Sequence, residues 1–536
     1  MASVSSLSRA ISGLDANQRA LNVTAHNLSN VDTPGYVRQQ ALFKDSSYTN
    51  VGNNFQLGLG TDIQAIRQVR DQFLDEAFRN ETGRQGYYLS KYEAIQELET
   101  IFGEIEGESF SEVLNSFWNS LNELSKQPEG LETRGTFVQS AVMLIDRANL
   151  ISDQINDYQL NLNQQIKDTV DEINQIGEDI VTLNEKISRY EAFGDRANDL
   201  RDERNNSLDR LAHLVDISYK EDNAGRVSVL VEGLGFVDEN RVSKMTLEQA
   251  EPNSPLVKPV WEEYGHDVFN FSKSISSEND NDIGSLKGLL LARGTRTANY
   301  TDMENQAHYE ENIKSSMIMN AQAQFDNLIH GIATLINDTL APNTTTGSIQ
   351  LDTGSAPYGI DGSRGTELFK REHYDRYDAT GEYIEEDSND VYTLYSAGNI
   401  VINPEILKDY DKIALSKTPT DIGDNSIVED IIEKWKAPFS SIEPGGSSIV
   451  NYTEYYSAFV SGLGHEGNLA NKMQTNQKTM VNQIDNQRSK LMGVSNDEEL
   501  GNMMKYQHAY NASAKVINTV DDMLEHVISR LGIVGR

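Results

Sequence analysis

The sequence predicts an α+β multidomain chain with paired N- and C-terminal heptad helices, a central long-helix bundle and inserted outer β domains. Three observations carry this. Apolar residues recur every seven positions at both ends, an unbroken apolar stripe runs from Ile151 to Tyr190, and short β-like runs rich in Gly and Asp interrupt the helical pattern between them.

The first element, residues 4–30, has Leu7, Leu14, Leu21 and Leu28 at one seam position and Val4, Ile11 and Ala25 at its companion, with Gln18 as the polar exception. So narrow a stripe is a coiled-coil pattern rather than the face of a globular helix. Ser5, Ser8, Ser12, Ala16, Ala20 and Asn22 occupy the other faces, where an exposed coiled coil would carry Glu and Lys. Small neutral residues predict close neighbours on several sides. The helix stops at Asn27-Leu-Ser-Asn-Val-Asp-Thr-Pro-Gly-Tyr36: Pro34 forces Thr33 to extended geometry, Gly35 can take the positive φ of a type II turn, and Asn30 can cap freed backbone. Together these make a first unit of 1–45.

A helical unit is expected over 46–215. In its stripe, Ile151, Ile155, Tyr158, Leu162, Ile166, Val170, Ile173, Ile176, Ile180, Leu183, Ile187 and Tyr190 advance by three or four, one helix of roughly 60 Å at ~1.5 Å per residue. A shorter helix follows at 197–215. Residues 216–303 form a β insert whose clearest strand is Arg226–Glu232 before Gly233, and 304–341 return as helix. An outer β domain spans 342–450, with β-like runs at 391–395 and 400–402. Helix resumes over 451–495, with a break expected near Gly462–Gly467.

The last unit, 496–536, repeats the heptad with Met503, Tyr510, Ile517, Leu524 and Leu531, partnered by Tyr506, Val520 and Val527 and interrupted by Ser513. Asp497, Glu498 and Glu499 suit a helix N-terminus, and Gly532 a C-terminal stop. Two heptad helices at opposite ends of a chain invite pairing with each other.

Composition narrows the function. A net charge of -36, from 46 basic and 82 acidic residues, repels nucleic acid and anionic membrane. Without cysteine there are no disulfides, thiolate nucleophiles or sulfur-ligated metals. No apolar run reaches membrane-spanning length, and the N-terminus lacks a signal-peptide pattern. Enzyme-like motifs are incomplete. Gly462-Leu-Gly-His-Glu-Gly467 matches a dinucleotide fingerprint but follows a helical pattern rather than a strand, and Asp352-Thr-Gly lacks the second carboxylate an aspartic protease needs. His465-Glu466 has Leu469 where a zinc site needs a second His, and Asp280, Asp282 and Gly284 miss calcium-loop spacing, reading instead as a solvated turn. No catalytic, cofactor-binding or metal-binding residue is assigned.

The seam helix followed by Asn27, Asn30, Thr33, Pro34, Gly35 and Tyr36 resembles the N-terminal signature of the axial flagellar rod, hook and hook-associated proteins, and 506–524 resembles their C-terminal element. Residues 493–499 and 198–211 resemble the hook-associated protein 1 family in particular, while Asn496 and Gly501 depart from its regularity. The resemblance implies a non-enzymatic structural subunit polymerising at the hook–filament junction. Its alternatives are a hook or distal-rod subunit and, more remotely, a secreted enzyme on a helical stalk. Implied partners are the hook protein, a second junction protein, further copies of the chain and an export chaperone, with type III export accounting for the missing signal peptide. The assembly seam would comprise Leu7, Ile11, Leu14, Leu21, Leu28, Met503, Tyr506, Tyr510, Ile517, Val520, Leu524, Val527 and Leu531. Terminal helices would be innermost, the long-helix bundle next, and β domains outermost.

Overall fold

The computed structural model describes residues 2–50, 56–103, 109–192, 194–345 and 347–531; Gly532 and the side chains of Val4 and Leu531 lie outside the described residues. Helix α1 (Ala2–Ser29) leads through the Pro34 turn into strands β1 (Gln39–Asp45), β2 (Tyr48–Asn50), β3 (Gln56–Gly58) and β4 (Thr61–Gln68). β1 pairs antiparallel with β4, with a bulge between Leu42 and Phe43. The boundary expected at residue 45 therefore falls inside a β ladder lying on α1, and helix begins again only at α2 (Gln72–Phe102).

After α3 (Phe110–Lys126) comes α4 (Leu131–Glu191), a 61-residue helix of about 90 Å at ~1.5 Å per residue. It starts 20 residues before Ile151, because Phe137, Val138, Ala141, Leu144, Ile145 and Ala148 continue the same apolar spacing and are all buried. Helix α5 (Asn198–Leu214) folds back on it.

The β insert is a sheet in the order β5 (Ile217–Glu221), β6 (Val227–Val231), β7 (Leu234–Asp238), β8 (Arg241–Val242), plus a hairpin of β9 (Met245–Gln249) and β10 (Val257–Trp261). Asparagines of α4 clip these strands to the helix. Asn184 exchanges both amide bonds with the backbone of Val227 (2.8 and 3.0 Å), and Asn174 does so with Met245 (2.9 Å each). Asn163 accepts from Val257 at 2.9 Å. A side-chain amide satisfies a strand's donor and acceptor together, so the sheet docks without orphaned backbone groups. At Gly177 a Cβ would stand 2.6 Å from Phe236 Cζ, so no larger residue fits under the sheet.

Next come α6 (Ser285–Arg293), a 3₁₀ turn at Tyr300–Met303, α7 (Gln306–His308) running into a π turn at Tyr309–Ile313, and α8 (Met317–Leu340). Residues 342–450 are far poorer in strand than expected. Among the described residues they hold two three-residue strands, β11 (Phe369–Arg371) and β12 (Ile400–Ile402), with α9 (Pro404–Lys408) and α10 (Ser426–Lys436). The run 391–395 begins as a 3₁₀ turn. Asp352, Asp361, Asp378, Asp387 and Asp409 each accept the backbone N–H two residues on, diverting donors that a ladder would use. Nor is the segment wholly peripheral: Ile431 and Trp435 of α10 are buried in the main core, which runs from Ala94 to Ala470.

Helix α11 (Tyr452–Met492) passes through 462–467 without a break. Gly467 faces α2, where a Cβ would lie 2.8 Å from Glu99 Oε1 and 3.1 Å from Ile95. Of the fingerprint-like glycines, Gly467 serves a close helix crossing. After 493–495, α12 (Asn496–Leu531) runs uninterrupted through Gly501 and lies along α1. No helix among the described residues is long and apolar enough to cross a membrane.

Candidate assembly site

The turn at Thr33–Tyr36 closes with Tyr36 N–H donating to Thr33 O at 3.2 Å, and Gly35 sits at φ 77°, the type II geometry. Asn30 reaches back to His26 O (3.0 Å) and accepts from the Thr33 hydroxyl (3.2 Å). The turn thus aims the chain away from α1 and returns it as β1.

Asn27, 1% exposed, is the hub. Its Oδ1 accepts from the Tyr36 hydroxyl (2.8 Å) and Gln39 N–H (3.0 Å), and its Nδ2 donates to Gln39 O (2.9 Å) and Glu499 Oε2 (3.1 Å). Every donor and acceptor of the amide is used. One side chain ties α1, the turn, β1 and the first turn of α12 together.

Segment 198–211 closes the site from the helical body. Asp202 accepts Val37 N–H (3.1 Å) and Gln68 Nε2 (2.6 Å), while Asp199 accepts Gln39 Nε2 (2.7 Å). Arg38 N–H donates to Met492 O (2.8 Å) at the end of α11. Below them Arg488 bridges Asp75 (3.0 Å) and Asp209 (2.9 Å), anchoring α11 to α2 and α5. The three stretches 27–36, 198–211 and 493–499, far apart in sequence, therefore meet in one neck between the terminal helix pair and the body.

Sequence reasoning identified Asn27 and the turn, but not Gln39, Gln68 or Arg488, which carry no local pattern. Glu499 was legible only as a first-turn acid; its role as an acceptor for Asn27 was not.

The terminal helices do pair; on α12 the heptad positions up to Leu524 are buried or half-buried, whereas on α1 the fully buried positions lie to one side of the leucine seam. On α1 the buried residues are Ala10, Ala16, Ala20, Val23, Thr24 and Asn27. Leu7, Leu14, Leu21 and Leu28 are half-buried and Ile11 is 51% exposed. On α12 Val520 is buried, Met503, Tyr506, Tyr510, Ile517 and Leu524 are half-buried, and Val527 is exposed. The small residues permit the contact: a Cβ on Gly13 would lie 3.1 Å from Ser513 Oγ, so the apparent flaw in the C-terminal heptad is where the helices come close. Phe43 of β1 reaches Tyr506, ring centroids 5.9 Å apart. A single pair covers one side of each helix, leaving Ile11, Leu500, Met504, Val516, Met523, Val527 and Ile528 substantially exposed.

Burial pushes the Asp202 carboxyl up to about 7, against the pull of Val37 N–H and Arg70. The unfolded value is about 3.9. A folded value above the unfolded one means this group's contribution to stability is complete below about pH 4 and is lost as pH rises toward 7. The neck should open more readily as pH rises through that window, by at most about tenfold per pH unit. Exchange of the Val37 amide, corrected for its chemical rate, measures this, and Asp202→Asn should flatten the slope.

Asp352 and Asp282, which the enzyme-like motifs single out, are hydrogen-bonded within the chain. Asp352 caps its own turn through Gly354 N–H (3.0 Å). Asp282, far from solvated, is 1% exposed and held by Arg84 (3.2 Å), Tyr88 (2.7 Å) and Ser277 (2.5 Å). His465 is exposed on α11. Asp352→Asn, at a half-buried position, and His465→Ala, at an exposed one, are expected to leave the melting temperature essentially unchanged. A clear fall in the melting temperature of either variant would contradict this.

With the geometry in view, comparisons with known proteins converge on one family. The family model described as the flagellar hook-associated protein FlgK helical domain matches residues 95–352. The flagella basal body rod protein model matches 7–36, and the C-terminal model of the basal body rod FlgEFG proteins matches 491–530. The chain is 28% identical over 541 residues to flagellar hook-associated protein 1 of Bacillus subtilis, covering 98% of this chain and 97% of the relative. It is 22% identical to the Salmonella typhimurium protein of that name, covering 98% and 99%. The flagellar hook junction protein FlgK from Burkholderia pseudomallei shares the fold at a TM-score of 0.55 and 14% identity, covering 78% of this chain and 100% of that one.

Proposed function

We infer that this chain, which belongs to the flagellar hook-associated protein 1 family, is a structural subunit of the bacterial flagellum at the hook–filament junction. The observation that carries the reading is the neck: the stretches that resemble the axial proteins are the ones joined through Asn27, Asp202 and Glu499. A subunit built this way presents a paired-helix stem to its neighbours and holds it at a fixed angle to its body. The apolar residues left exposed on α12 are then contact surface for further copies, for the hook protein on one side and for a second junction protein on the other. Burying them would supply about 25 cal/mol per Å² of apolar area.

The same exposure would make the free chain prone to premature association. Export in unfolded form with a chaperone over the terminal segment fits that hazard. No step in this role requires bond chemistry. Immunogold labelling of intact flagella tests the reading: a single band at the joint is expected. Label over the entire hook would instead favour a hook subunit, and label absent from flagella would overturn the assignment.

A further inference from the structure

A cavity of about 320 Å³ opens where α4 and α8 meet the loops around residues 298, 373 and 397. Phe325 lies in its wall, and Tyr392, 53% exposed, stands at its mouth with its ring centroid 4.7 Å from that of His373. Asp153, Asp326 and Glu372 line it, and no Lys or Arg does among the described residues. Asp326 is 4% exposed and is met only by backbone N–H groups, Ala397 on one oxygen (2.6 Å) and Tyr300 on the other (2.9 Å). A carboxylate offers about four acceptor positions, so roughly half of them remain open. No cation pairs with it among the described residues, since the Arg296 guanidinium is committed to Asp302 and Glu251. Burial, with the like charges of Glu386 and Asp302, pushes the Asp326 carboxyl up to about 7, against the pull of its two N–H donors.

The rest of the lining points the same way. Ser396 is 8% exposed, yet its hydroxyl has no hydrogen-bond partner among the described residues, and a buried polar group left so marks a missing partner. The exposed carboxylates of Asp153 and Glu372 are likewise unpaired among the described residues. Carboxylates, a hydroxyl and an aromatic face all accept, and apart from His373 nothing in the lining can carry positive charge. A planar guanidinium satisfies each of them: its N–H fork suits a carboxylate, its face suits a tyrosine ring, and it brings the absent charge. The volume is at the lower end of small-molecule sites, about 300–1,000 Å³, and suits one side chain or a small molecule rather than a chain segment.

We propose that this cavity binds a guanidinium group, held by Asp326 and Ser396 inside and by Tyr392 with the Asp153 and Glu372 carboxylates at the mouth. The proposal is independent of the junction role. Calorimetric titration of the full chain with N-acetyl-L-arginine amide tests it. Saturable binding is expected, tighter by about tenfold or more than that of N-acetyl-L-citrulline amide, which keeps the shape and loses the charge. The double variant Asp153→Asn, Glu372→Gln alters only exposed side chains, so it should keep the melting temperature and lose affinity by a similar factor. Ethylguanidinium separates two sources of the group. Tighter binding of the arginine amide assigns the site to a protein side chain, and tighter binding of ethylguanidinium assigns it to a free small molecule. Absence of saturable binding, equal affinity for the citrulline amide, an unaffected double variant, or tighter binding of D-glucose than of either guanidinium would each overturn the proposal.

Discussion

Ala20→Glu is expected to abolish assembly and loosen the terminal helix pair in the free chain, while the melting of the helical body hardly moves. Ala20 has no exposed surface and lies on the face of α1 buried by the rest of the chain. A carboxylate there must be buried unpaired, prise α1 away, or take up a proton, at a cost of several kcal/mol, roughly 3–5. The main core, Ala94 to Ala470, includes no residue of α1, so it should not register the change. Leu21→Glu gives the contrast. Its site is half-buried, so in the free chain the new carboxylate can reach water, and the damage should emerge only when neighbours cover that side. Hydrogen exchange of α1 in the free chain and filament growth beyond the hook in cells separate the cases. Filaments of normal length on Ala20→Glu cells, with the variant present at the joint, would refute the packing described here.

Asn27→Ala should be nearly as severe, for a different reason. It removes four hydrogen bonds and strands the Glu499 carboxylate, 3% exposed, together with the Tyr36 hydroxyl and both backbone groups of Gln39. Leaving a buried charge and several polar groups without partners costs about 3–5 kcal/mol. The neck should then fail locally: protease would cut near 493–496 and release α12 while the body resists. Asn27→Asp keeps the acceptor but sets two carboxylates face to face, so it should be as damaging at neutral pH. Pairing it with Glu499→Gln reverses the donor and acceptor across that contact and should recover part of the loss, a coupling a double-mutant cycle can measure. Equal stability of the Asn27→Ala neck and the wild-type neck would remove Asn27 from its central place.

The sequence by itself determined the local features. Heptad spacing gave both terminal helices, since helical periodicity acts over a few residues wherever the chain lies. Pro34 and Gly35 settled the turn, because each restricts or permits φ at its own position. Spacings of three and four residues gave the long helix, although reading from Ile151 lost its first 20 residues. Tertiary structure decided the rest. Which side of α1 is buried depended on what packs beside it, the β1–β4 ladder and α12 with Gly13 opposite Ser513, and not on the leucine seam alone. Glycines 462–467 do not break α11, and at Gly467 the crossing with Glu99 and Ile95 on α2 rewards a missing side chain. In 342–450, aspartates capturing their own backbone left little for a sheet, a competition that composition does not resolve. The bond from Asn27 to Glu499 spans 472 residues, and no local pattern could announce it. An amide's partners are fixed by where the folded chain delivers them, whereas a helix or a turn is fixed by the residues that compose it.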